Sequence, residues 1–157
     1  MMNISLSGRR SDKGFTLIEI LLAIGILAIL STAAIIAINP ARQFAQSRDT
    51  QRWNDVHAIM NAVYQYAVDN KGMLPPNIPS GDLLEICRFS PITCEGFADL
   101  SALTDLSTYL TEIPIDPKCP DDCSGGSGTG YFIGMTADGR VYIQSRYAEL
   151  STIELTR

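Results

Sequence analysis

Hydrophobic and polar positions divide the chain abruptly. From Phe15 to Ile38 runs an apolar stretch of 24 residues in which Glu19 is the only charge. At ~1.5 Å per residue a helix of that length reaches about 36 Å, enough to cross a bilayer core of ~30 Å. Ser31-Thr32-Ala33-Ala34 imitates the small-residue site of a secretory signal, but such signals have shorter apolar regions and this run continues through Ile38. Asn39-Pro40 then interrupts it. Proline removes a backbone donor and crowds the preceding turn, so the helix is expected to bend or loosen over residues 36–41.

A second helix is predicted over residues 42–71. There Trp53, Val56, Ile59, Met60, Val63 and Ala67 recur at steps of three and four, while Arg48, Asp49, Arg52 and Asp55 take polar positions. Trp53, Tyr64 and Tyr66 read as packing residues rather than a ligand platform. Asn70-Lys71-Gly72 supplies a left-handed stop, and Pro75-Pro76 forbids resumption. Beyond Gly72 the segments shorten. A short helix is expected over 81–86 and another over 100–110, with Leu103, Leu106 and Leu110 on one face. The prolines of 113–117 demand extended backbone, and 124–130 reads as a glycine-serine loop. The strands 131–136 and 140–146, joined by Ala137-Asp138-Gly139, form the clearest hairpin. The expected class is α+β: a long N-terminal helix, half membrane-spanning and half amphipathic, packed on a small antiparallel sheet. Its parts are a leader (1–14), an apolar helix (15–39), an amphipathic helix (40–71) and a globular head (72–157).

Charge and cysteine content refine this. The chain has 157 residues and a net charge of −5; without residues 1–14, nine Lys and Arg face sixteen Asp and Glu, a net −7. One small domain is the ceiling, and a generally basic, nucleic-acid-coating protein is excluded. Arg9, Arg10 and Lys13 precede the apolar run, which orients the N-terminus toward the cytoplasm. Cys87, Cys94, Cys119 and Cys123 all lie beyond that run, in the half that would reach an oxidising compartment. Their spacing suggests two local disulfides, each contributing about 2–2.5 kcal/mol in the chain-entropy description. Four cysteines still allow three pairings, and zinc fits the wider gap poorly. Asp116, Asp121, Asp122 and Asp138 have the chemistry to bind calcium, though their spacing favours a solvated acidic loop. His57, the only histidine, reads as a surface or packing residue, and no nucleophile has a recognisable base. No catalytic residue, metal or cofactor is expected.

Lys13-Gly14-Phe15-Thr16-Leu17-Ile18-Glu19 and the helix behind it couple a basic leader, a glycine before a phenylalanine, a glutamate four residues further on and a spanning helix. This combination resembles the class III signal of type IV pilins and of type II secretion pseudopilins. The resemblance implies a filament subunit rather than an enzyme. A prepilin peptidase would cut between Gly14 and Phe15 and N-methylate Phe15. Glu19 would then pair with the new amine of a neighbouring subunit and set axial register, or with its own helix terminus. Other implied partners are identical subunits, an assembly platform with its ATPase, and the inner membrane that holds the precursor before the filament reaches the cell surface. Gly25 and Pro40 are the candidate positions where the filament-core helix becomes extended. Family pilins often close a distal region with one disulfide, which keeps Cys87–Cys119 and Cys94–Cys119 open, and some major pseudopilins hold calcium in a C-terminal loop. The alternatives to a pilus subunit are a secretion pseudopilin and a competence pilin that captures DNA. The acidic balance disfavours DNA apart from a local patch at Arg140 and Arg146.

Overall fold

The computed structural model describes residues 14–88, 94–119, 123 and 126–157. The leader's basic residues Arg9, Arg10 and Lys13, and the acidic Asp121 and Asp122, lie outside them. Helix α1 spans Leu17–Ile38 and helix α2 Pro40–Asp69, separated by Asn39 in a left-handed conformation (φ 48°, ψ 81°). Asparagine tolerates that region better than most residues, and Pro40 begins α2 where its missing N–H is not needed. Contacts divide the chain into residues 1–40 and 41–157.

Within the second unit α2 ends as its sequence suggests. Lys71 and Gly72 are left-handed (φ 58° and 87°), and the Gly72 amide donates to the Ala67 carbonyl at 2.7 Å. A four-stranded antiparallel sheet follows in the order β1 (Leu84–Cys87), β2 (Gly128–Met135), β3 (Val141–Ser145), β4 (Ile153–Thr156). Alternation sends Tyr131, Ile133, Val141, Ile143 and Ile153 into one apolar cluster with Val56, Ile59, Met60 and Val63 of α2. The hairpin β2–β3 turns through residues 137–139, with Gly139 at φ 78°.

Four expectations need correction. Residues 84–87 form a strand, not a helix: β1 pairs with β2 and is bulged between Glu85 and Cys87. Gly128–Gly130, assigned to the glycine-serine loop, open β2. Between 100 and 110 there is only a one-turn helix, α3 (Ser101–Thr104), followed by a 3-10 turn. Leu106 and Ser107 turn left-handed there (φ 51° and 53°), so buried Leu103 and the 93% exposed Leu106 do not share a face. Finally, Asp49 and Arg52, read as polar positions apart from the apolar ones, are buried.

Candidate functional site

The first constellation is the start of α1. Thr16 is its N-cap, with extended backbone (φ −82°, ψ 151°); its Oγ1 accepts from the Glu19 amide at 3.3 Å. Its carbonyl oxygen accepts from the amides of Glu19 and Ile20 at 3.1 and 3.3 Å. Thr16-x-x-Glu19 is the spacing of a capping box, a signal the family resemblance had obscured. Gly14 and Phe15 precede the cap, exposed and outside the helix. Glu19 sits in the first turn, where the N-terminal end of the helix dipole favours an anion. Behind it Leu17–Ile35 is long and apolar enough to cross a membrane, and its residues are exposed. Its two hydroxyls are satisfied within the helix: Ser31 donates to the Leu27 carbonyl at 2.7 Å and Thr32 to that of Ala28 at 2.9 Å.

The second constellation lies in the head. Arg52 is fully buried. Its guanidinium donates to both oxygens of Asp116 at 2.7 and 2.9 Å, to Asp49 at 2.8 Å and to Glu149 at 3.0 Å. Arg48 forks onto Glu149 at 2.6 and 2.7 Å, and Lys118 Nζ lies 3.4 Å from the same carboxylate. Asp49 also accepts from the amides of Glu149 and Leu150. Burial alone would raise Asp49, but those amides and Arg52 outweigh it and hold its carboxyl below the usual range. The Arg48 fork, against a smaller effect of burial, drives Glu149 well below it. Burial raises Asp55 despite the 2.6 Å hydrogen bond it accepts from the Tyr131 hydroxyl. The bonds from Arg52 to Asp116 outweigh burial and raise the guanidinium further. Sequence reasoning missed this cluster, yet Ala45, Asp49, Arg52, Val56, Ile59 and Val63 share one helical stripe and all are buried.

The remaining candidates scatter. Cys87 is bonded to Cys94 and Cys119 to Cys123. Asp116 belongs to the Arg52 cluster and not to a solvated loop, while Asp138 is exposed beside Arg140 at 3.3 Å. Among the described residues no group of three His, Cys, Asp or Glu side chains is placed to hold a metal ion. His57 stacks on Trp53 with ring centres 5.8 Å apart. The Arg146 guanidinium covers the Phe132 ring at 3.9 Å.

Residues 9–35 match the family model of the prokaryotic N-terminal methylation motif. No curated protein and no solved structure matches the chain. The match ends within α1, so the rest is described by its own geometry: α1 is followed by α2 and a four-stranded antiparallel sheet, an α+β arrangement consistent with the pilin fold. The chain therefore carries the prokaryotic N-terminal methylation motif, the class III signal of type IV pilins and pseudopilins.

Proposed function

We propose that the chain is a structural pilin, cleaved after Gly14, methylated on Phe15 and polymerised into a type IV pilus. The observation that carries this reading is the uncovered helix behind the motif. Eleven Leu and Ile side chains between Leu17 and Ile35 are each at least half exposed. At ~1.5–3 kcal/mol for burying each, their exposure to water would forfeit on the order of 15–30 kcal/mol. Lipid covers that surface in the precursor, and identical helices cover it in the filament. Head-to-tail contacts that do not close a ring give an open helical polymer.

The motif residues then divide the work. Gly14 lets a peptidase approach the backbone closely. Phe15 gains the amine just ahead of the Thr16 cap. Glu19, costly in hydrocarbon, takes that amine from a neighbouring subunit. Residues 15–39 form the filament core, residues 40–71 carry the helix into the head, and residues 72–157 complete the head outside the inner membrane. The motif is shared with secretion pseudopilins. The capture of Asp116 by Arg52 removes one acidic oxygen donor from a calcium-binding C-terminal loop, which favours the pilus.

Mass spectrometry of the mature protein from its native host is expected to begin at methylated Phe15; an intact Met1 terminus sinks the proposal. Glu19→Ala is expected to leave the precursor in the membrane and abolish filaments seen by electron microscopy. Normal filaments from that variant reject the register role.

A further inference from the structure

The Cys119–Cys123 disulfide sits against the backbone that positions Asp116. The Asp116 amide donates to the Thr129 carbonyl at 2.8 Å, and Cys119 Sγ lies 3.4 Å from the same oxygen. One residue on, Gly130 is left-handed (φ +83°), and a β-carbon there would stand 2.7 Å from Asp116 Cβ and 3.0 Å from Cys123 Sγ. Disulfide, Asp116 and β2 backbone thus share one crowded point. The turn is tied to itself as well: the Cys119 amide donates to the Asp116 carbonyl at 2.9 Å, and the Lys118 amide to Asp116 Oδ1 at 2.9 Å. From this turn come one anion and one cation of the buried cluster, Asp116 to Arg52 and Lys118 to Glu149.

We propose that the Cys119–Cys123 disulfide is a latch that sets Asp116 against Arg52, so that the charged clasp between α2 and the distal loops closes only in the oxidised chain. Closing the latch takes two protons and two electrons from the thiol pair; a disulfide oxidant accepts them and leaves as two thiols. In the reduced chain the turn 116–119 loses its brace, Asp116 drifts from Arg52 and Lys118 from Glu149, and the contacts that Asp49 and Glu149 share with Arg52 loosen with them. A buried guanidinium with a broken partner is strongly unfavourable, so the head finishes folding where the oxidant is. The latch concerns the head alone and does not depend on the filament reading.

The test uses the full-length protein in detergent micelles and hydrogen exchange at the amides of Glu149 and Leu150, which Asp49 holds. In Cys119→Ser/Cys123→Ser these amides are expected to exchange at least tenfold faster than in the wild type. The amides pairing β2 with β3 keep their rates. Cys87→Ser/Cys94→Ser, the control, leaves Glu149 and Leu150 unchanged. Unchanged rates in the first variant, or a uniform acceleration over the whole head, overturn the proposal. If that variant does not fold, wild-type protein partly reduced with dithiothreitol gives the same comparison, the opened pair being identified by alkylation and mass. In addition, the fall in thermal midpoint caused by Asp116→Asn is expected to shrink to less than half in the Cys119→Ser/Cys123→Ser background. Equal falls in both backgrounds show a disulfide that acts only on the unfolded chain, and overturn the latch.

Discussion

Replacing Arg52 with methionine isolates the energetics of the head's buried charge. Methionine retains much of the apolar stem and its volume, so little cavity forms, but it removes every hydrogen bond that Asp116 receives from the guanidinium. The Asp116 side chain has no exposed surface, so water cannot replace those bonds. Removing one partner of a buried ion pair costs about 3–5 kcal/mol. For a folded unit of roughly 120 residues, where ~1 kcal/mol moves the midpoint by about 4 °C, the expected fall is about 12–20 °C. The assay is thermal unfolding of the full-length chain in micelles, followed by Trp53 fluorescence. Arg52→Met/Asp116→Asn is then expected to recover part of the loss. The amide carries no charge, yet its carbonyl oxygen still accepts from Lys118. A coupling of about 0.5–3 kcal/mol should separate the double variant from the sum of the singles. A midpoint shift below about 3 °C for Arg52→Met, or strict additivity, would refute the view that this cluster is a desolvated unit.

Acidification should destabilise the head. Asp49 and Glu149 bind protons less readily folded than unfolded, where they titrate near 3.8 and 4.5. Their stabilisation is therefore complete above about pH 5 and lost as pH falls through 4 and below; Asp55, shifted upward, offsets part of it. A midpoint unchanged between about pH 5 and 3 would contradict this. Gly130→Ala should cost about 2 kcal/mol or more, because the added carbon meets Asp116 and Cys123 in a left-handed conformation; denaturant unfolding measures it. Ser145 Oγ is buried without a hydrogen-bond partner among the described residues. Ser145→Ala should therefore leave the denaturant midpoint unchanged or raise it, since no bond is lost and a desolvated hydroxyl goes.

Sequence pattern located the parts of the fold that local chemistry decides. The apolar run became α1, Asn39-Pro40 separates it from α2, Gly72 closes α2, and the Asp138-Gly139 turn joins β2 to β3. What it missed depends on distant contacts. Residues 84–87 carry no decisive period, and pairing with β2 makes them a strand. The glycines at 128 and 130 look like a loop until the buried Glu85 carboxylate is seen over Gly128, where a β-carbon would stand 2.0 Å from its oxygen. Strand β4 was legible in principle, since Ile153-Glu154-Leu155-Thr156 alternates, but four residues are a weak signal. Arg52 and Asp49 were read as polar positions apart from the apolar ones, although their spacing places them on the core stripe. Burying them required Asp116 and Glu149, 64 and 97 residues beyond Arg52. Of the N-terminal site, the methylation motif itself was legible in the sequence, and the capping role of Thr16 was not.

That cap carries a consequence for the order of events in the membrane. In the first turn of α1 the amides of Glu19 and Ile20 are received by the side chain and carbonyl of Thr16 itself, so the helix begins at a boundary it supplies from within. The proposed hydrolysis at Gly14–Phe15 would fall outside that boundary and change electrical charge without changing helical length. On that reading, precursor and mature subunit would present the same anchor to the bilayer. On the proposed reading the difference between the two lies wholly ahead of α1, in the loss of the basic leader and the gain of an ammonium at Phe15.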